Sequence, residues 1–211
     1  MEILLYSYWR SSCSWRVRWA LNIKGIPYRT ISVNLLKNEQ NSVEYLKINA
    51  GGRVPTLIVE GRALSGSLAI IEWLDENWVL NPLLPSDPWA KAQVREMAHI
   101  IAMDTQPIQN ISVLKRHSDL EDEKKAWARD FNRIGLRAFE QLVAKYSTSE
   151  KYSFGDQLSL ADLCLVPQCY NAMRYDVDLE VEFPRLAKIY NYCLSLRTCF
   201  NASPEQQQVD P

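Results

Sequence analysis

Residues 10–18 read Arg10-Ser11-Ser12-Cys13-Ser14-Trp15-Arg16-Val17-Arg18, a dense run of hydroxyl, thiol and cationic side chains. The run follows a short apolar stretch and opens a helical pattern. The first backbone amides of a helix lack partners within it, and the dipole there favours negative charge. An anion, whether phosphate or thiolate, is stabilised at such a point. Serine hydroxyls add rotatable donors, so an anion site is expected at Ser11, Ser12 and Cys13. A plainer reading stands beside it: Ser11 or Ser12 caps the helix, and Cys13 packs as a small side chain. A helix start also favours a thiolate. Three residues after Cys13 comes Arg16 rather than a second cysteine, which argues against dithiol redox chemistry.

Two further segments carry polar chemistry. In Gly52-Arg53-Val54-Pro55-Thr56-Leu57, a proline opens a strand and cannot donate to the ladder. If the Val54–Pro55 bond is cis, it turns the Val54 main chain toward solvent or a ligand; an ordinary trans proline at a strand edge is the alternative. In Ser65-Gly66-Ser67-Leu68-Ala69-Ile70, a second helix begins, able to receive a carboxylate or simply capped by serine.

The elements that must position these segments follow from periodicity. Ile3–Tyr8 is β-prone. Trp15–Lys24 carries an apolar helical face, stopped by Gly25-Ile26-Pro27. Tyr28–Leu35 reads as a strand, Ser42–Ile48 as a short helix, and Pro55–Val59 and Arg62–Leu64 as strands around the turn Glu60-Gly61. Ser67–Asn77 is a helix. This βαβαββα order is that of the thioredoxin-like fold, with a parallel βαβ unit and a closing hairpin. Pro82, Pro85 and Pro88 mark a linker over 82–88. Beyond it only helices are expected: Trp89–Gln109, kinked at Gln106-Pro107, then Leu120–Tyr146, Ser159–Arg174 and Pro184–Phe200. Ser159 and Asp162 have capping-box spacing, flanked by Leu158 and Leu163. The polar tail after Asn201 is expected to fray.

Bulk properties narrow the function. Of 211 residues, 24 are Lys or Arg and 25 Asp or Glu, a net charge of -1. No global field attracts nucleic acid or an anionic membrane. No apolar run reaches the ~18–20 residues that span a bilayer, and the N-terminal run lacks the basic flank of a signal peptide. Five irregularly spaced cysteines do not suggest a disulfide framework; a reducing, cytoplasmic setting is expected. Cys164 and Cys169 fall on one helix and are expected to pack. The only histidines are His99 and His117 and no Cys-x-x-Cys occurs, so no metal site is expected.

The string Ser11-Ser12-Cys13-Ser14-Trp15-Arg16-Val17-Arg18 resembles the active-site signature of the zeta-class glutathione transferases. Val54-Pro55-Thr56-Leu57, Ser67-Leu68-Ala69-Ile70-Ile71-Glu72, Gln106-Pro107-Ile108-Gln109-Asn110 and Ala161-Asp162-Leu163-Cys164-Leu165-Val166-Pro167-Gln168 extend the resemblance over nearly the whole chain. It implies a thioredoxin-like glutathione-binding domain over 1–81 and an all-helical domain over 89–211, with glutathione as cofactor. It also implies a cis-trans isomerase converting maleylacetoacetate to fumarylacetoacetate, with transferase activity on α-halo acids; a general conjugating transferase or a weakly active binding module are the alternatives.

Residue roles follow from the same resemblance. Ser12 would hydrogen-bond the glutathione sulfur, with Ser11 and Cys13 as catalytic neighbours; Ser14, Trp15 and Arg16 complete the glutathione-binding signature. Val54 would pair with the cysteinyl unit and Ser67 with the γ-glutamyl carboxylate. Gln40 lies near the glycyl end, and Gln106, Asn110, Ile111 and Ser112 match a helical-domain stretch that reaches the ligand. Arg174 and Arg10 would anchor carboxylates of a diacid substrate. A homodimer is implied. Gly66 stands where the family usually has Gln or Glu, removing one side-chain contact to glutathione.

Overall fold

The computed structural model describes residues 2–208. It forms two compact units: one gathers the chain up to Asn81 with the stretch from Arg197 onward, the other spans Pro82–Leu196.

In the first unit, strands β1 (Ile3–Ser7), β2 (Arg29–Ser32), β3 (Thr56–Val59) and β4 (Arg62–Ser65) make one sheet in the order β2-β1-β3-β4. β1 and β2 are parallel, with Leu5 opposite Thr30. The pairs β1–β3 and β3–β4 are antiparallel. The two central strands bury Ile3, Leu5, Leu57 and Val59 on one face of the sheet, the period-2 pattern of a strand packed on a core. Helices α1 (Ser12–Ile23), α2 (Val43–Ile48) and α3 (Ser67–Asn77) complete the βαβαββα order. Gly25 ends α1 at φ +65, the left-handed conformation that glycine adopts freely. Lys24, its side chain fully buried, fastens α1 to the end of α3: Nζ meets Asp75 at 2.6 Å and donates to the carbonyls of Trp78 and Leu80.

Residues 202–207 depart from expectation, while 209–211 of the same tail lie outside the described residues. Its polarity suggested fraying, yet Ala202, Ser203 and Pro204 are buried and Pro204–Gln207 forms a helical turn, α11. The cause is Arg18, whose Nε donates to the Ala202 carbonyl at 2.9 Å. Trp19 and Asn22 add bonds to Thr198. The stretch from Arg197 on therefore groups with the first unit and not with the helices before it.

The second unit is all helical. It contains α4 (Pro88–His99), α5 (Ile111–His117), α6 (Glu121–Tyr146), α7 (Leu160–Met173), α8 (Leu179–Glu182) and α9 (Pro184–Ser195). Two expected helices are broken. The stretch expected as one helix to Gln109 passes at Ile100–Thr105 into a π-helical segment, then a 3₁₀ turn at Pro107–Gln109. The segment expected to end at Phe200 stops at Ser195, with Arg197–Phe200 forming a separate turn, α10. α7 is buried along most of its length, Cys164 and Cys169 included. Asp162, fully buried, accepts the amides of Ser159 at 2.8 Å and Ser153 at 2.6 Å. Burial outweighs these bonds and raises its carboxyl to about 6. No helix among the described residues is long and apolar enough to cross a membrane.

Candidate active site

The turn between β1 and α1 is built by its own backbone. The Ser11 amide donates to the Tyr8 carbonyl at 3.0 Å. Ser11 is the cap of α1, its Oγ accepting the Ser14 amide at 3.2 Å. Ser12 is thus the first helical residue and Cys13 the second, where the helix dipole is most positive. Ser11, Ser12 and Cys13 are half-buried at the mouth of this turn. Ser14 and Trp15 turn inward and are buried. Of the two serines it is therefore Ser11 that caps the helix, while Ser12 is its first residue.

Arg16 joins two helix starts. Its side chain is buried, and Nη1 lies 3.8 Å from Cys13 Sγ and 3.3 Å from Ser67 Oγ, where it donates. Ser67 is the first residue of α3 and is itself buried; Gly66 holds the cap position at φ +88 without a side-chain cap. The serine-cap alternative for Ser67 therefore does not hold. Nε and Nη2 of Arg16 are buried and make no hydrogen bond among the described residues. Among the described residues no carboxylate forms a salt bridge with that guanidinium. A buried cation left without an anion is costly, so the cradle of Cys13, Arg16 and Ser67 fits an anionic ligand.

Arg18, on the same helix, is saturated instead. Its guanidinium donates to Ser7 Oγ, to the carbonyls of Tyr8 and Trp9, and to Ala202. Burial lowers it to about 10, still a cation at neutral pH. The sequence marked Arg18 only as part of a string; the structure shows it fixing three consecutive residues of the turn.

The Val54–Pro55 bond is cis. The loop ahead of it is held by Tyr45 and Asn49, which both donate to the Arg53 carbonyl, at 2.6 and 2.8 Å. Both also reach Thr56 Oγ1. Gln40 lies across from this loop: a Cβ on Gly52 would come within 3.2 Å of the Gln40 carbonyl. Gln40 donates to Asn38 Oδ1, while its own Oε1 is buried without a partner. Arg10 is half-buried, with its guanidinium 5.4 Å from the Trp9 ring centre, within cation–π range.

The remaining expected residues belong to the second unit. Gln106 Nε2 donates to Asn110 Oδ1 at 2.8 Å. Asn110 precedes α5, whose first turn exposes Ile111 and Ser112. Arg174 caps the end of α7; it is exposed and donates to Asn171 Oδ1 at 3.1 Å. Thus Cys13, Arg16 and Ser67 are joined in one cluster, Gln106 and Asn110 in a second, and Arg174 stands in a third. Tyr45, Asn49, Gln109 and Asn171 were not singled out by sequence. The Gly51 amide donates to Asn49 Oδ1 at 2.9 Å.

The chain is similar to known proteins over nearly its whole length. Residues 10–77 match the glutathione S-transferase N-terminal domain and residues 97–196 the C-terminal domain. The chain is 41% identical over 211 residues to maleylacetoacetate isomerase of Dictyostelium discoideum, covering 98% of this chain and 95% of that protein. Identity to the Mus musculus maleylacetoacetate isomerase is also 41%, with 99% and 95% covered. Among solved structures, a bacterial maleyl pyruvate isomerase described as a zeta-class glutathione transferase superposes with a TM-score of 0.93 at 36% identity, over 97% of this chain and 98% of that one. Maleylacetoacetate isomerase from Anaeromyxobacter dehalogenans, solved with glutathione in its active site, gives 0.88 at 40% identity, over 100% and 98%. The chain belongs to the glutathione S-transferase family, in its zeta class.

Proposed function

We propose that this protein is a glutathione-dependent cis-trans isomerase acting on maleylacetoacetate or a closely related maleyl keto acid. The observation that carries the reading is the cluster at the starts of α1 and α3: a buried Arg16 without an acid partner, touching Cys13 and Ser67. Glutathione carries two carboxylates and an acidic thiol, which suits that cradle.

Within it, Ser67 and the opening turn of α3 would take the γ-glutamyl carboxylate, with the Arg16 charge beneath it. Val54 would pair its main chain with the cysteinyl unit, and Gln40 lies toward the glycyl end. Ser12 would donate its hydroxyl to the sulfur, and the α1 amides would favour the charged form. Bound glutathione would supply a sulfur nucleophile whose reversible addition to the substrate double bond lets that bond turn. In the first unit Arg10 would hold a substrate carboxylate by a forked bond. In the helical unit Arg174 would do the same, and Gln106, Asn110, Ile111 and Ser112 would contact ligand.

The experiment is a turnover assay with a cis-enediketo acid, followed by formation of the trans isomer, with and without glutathione. Isomerisation that requires the thiol supports the reading, and isomerisation without it refutes the reading. We also infer a cytoplasmic homodimer. Cysteines outside any disulfide suit a reducing compartment, and Val79 and Leu80 expose about three quarters of their surface, as an association face would. Sedimentation showing a monomer at micromolar concentration would refute the dimer.

A further inference from the structure

The helical unit buries an unusual amount of neutral amide. Thr105, Gln109, Asn132 and Gln168 are all buried. Apolar side chains of similar size would fill this space without the cost of desolvating amides, so the polar groups call for a reason.

Their bonds have a direction. The root is the Thr105 carbonyl, at the end of the π-helical segment, which can only accept. Gln109 Nε2 donates to it at 3.2 Å. Gln109 must therefore present its Oε1 the other way, and there it accepts from Asn171 Nδ2. Asn171, its amino group committed inward, presents Oδ1 outward, and that oxygen accepts from Arg174 Nη1 at 3.1 Å. A branch runs through Gln168, which only donates; its own Oε1 is buried with no partner among the described residues. Gln168 Nε2 donates to Gln109 Oε1 at 3.4 Å and to Asn132 Oδ1 at 2.6 Å, while Asn132 Nδ2 is spent on the Ala128 carbonyl at 2.7 Å. Backbone carbonyls at both roots thus fix the orientation of every amide, and the outermost atom of the chain is an acceptor facing a guanidinium.

We propose that Gln109 and Asn171 are positioning residues which hold the Arg174 fork for a carboxylate of the substrate. The proposal rests on the reading of Arg174 as a substrate-carboxylate residue. Flipping the Asn171 amide would turn two N–H groups toward the cation and break its bond to Gln109. The buried chain forbids that flip, so Asn171 Oδ1 stays presented to Arg174 Nη1. The same root ties it to the π segment, the next residue of which is Gln106.

The test compares glutathione-dependent turnover of maleylacetone, which carries a carboxylate, with that of 1-chloro-2,4-dinitrobenzene, which carries none. The proteins are the wild type, Arg174→Ala, Asn171→Leu and the double variant. Asn171→Leu is expected to raise KM for maleylacetone about tenfold, the effect of loosening one charge-assisted contact, with kcat nearly kept. The ratio of carboxylate to neutral turnover should fall accordingly. The double variant should be no worse than Arg174→Ala, because Asn171 acts through Arg174. An unchanged ratio in Asn171→Leu while Arg174→Ala is impaired, or losses that multiply in the double variant, would overturn the proposal. If Arg174→Ala itself leaves KM unchanged while isomerisation continues, the reading of Arg174 falls and the proposal falls with it. Should Asn171→Leu fail to fold, Asn171→Asp keeps the volume but cannot donate to Gln109; the same fall in ratio is expected, and an unchanged ratio overturns.

Discussion

Arg16 and Arg18 lie two residues apart on α1, both almost wholly buried, and their surroundings are opposites. Around Arg18 the guanidinium donates to Ser7, Tyr8, Trp9 and Ala202. Around Arg16 one nitrogen is shared between a hydroxyl and a thiol, and the other two have no acceptor among the described residues. A buried charge that is fully satisfied holds a fold together, while one left half-satisfied is available to a ligand. Satisfied and half-satisfied charge thus sit on opposite sides of one helical turn.

That division predicts opposite phenotypes. Arg18→Leu removes the donor to one hydroxyl and three carbonyls, of which only Tyr8 keeps another, the Ser11 amide, and should cost about 3–5 kcal/mol of stability, read as a lowered denaturant midpoint. It should also free the stretch around Ala202 to proteases. A stable Arg18→Leu protein would break the comparison.

The second unit offers a satisfied buried charge of the other sign. The Asp162 carboxyl titrates near 6 when folded, against 3.8 ordinarily, because burial dominates. Between those values the folded state holds the proton more tightly than the unfolded chain. Stability should therefore fall as pH rises from about 4 to about 6, by up to about 1.4 kcal/mol per pH unit, then level off. Urea midpoints across that range check this, and Asp162→Asn should flatten the slope.

Arg16→Leu is expected to leave stability within about 1 kcal/mol, since few bonds are lost. Glutathione affinity should weaken about ten- to a hundredfold, the loss of one charged partner. Calorimetric titration beside a melting curve separates the two effects. The smallest effect concerns Gly66, at φ +88 with open space where a Cβ would stand. Gly66→Gln should cost about 1 kcal/mol in backbone strain while tightening glutathione binding several-fold. A gain in stability would contradict the conformational argument.

The first half of the fold was legible because its signals are local. Gly25-Ile26-Pro27 and Glu60-Gly61 punctuate it, and the strands and helices fall where periodicity placed them. The π-helical segment was not, because a one-residue expansion of a helix leaves no glycine or proline behind. It rests on a tertiary contact instead: a Cβ on Gly135 would fall 1.9 Å from Thr105 Oγ1, so α6 meets the segment at a residue without a side chain. The tail misled for the same reason, since its order comes from Arg18, about 180 residues earlier in the chain. At the site, Ser11, Ser12 and Cys13 were visible as a cluster. That Ser11 caps while Ser12 does not, and that Arg16 is buried rather than solvated, depended on packing that spacing does not encode. Asn171 and Gln109 carry no motif at all; their meaning lies in the direction of a hydrogen-bond chain.

The most direct measurement is glutathione-dependent isomerisation of maleylacetone by the wild type and by Ser12→Ala. A sulfur anion held by one hydroxyl at the start of α1 should lose about a hundredfold in kcat when that donor is removed, with the fold unchanged. Full turnover by Ser12→Ala would contradict the account.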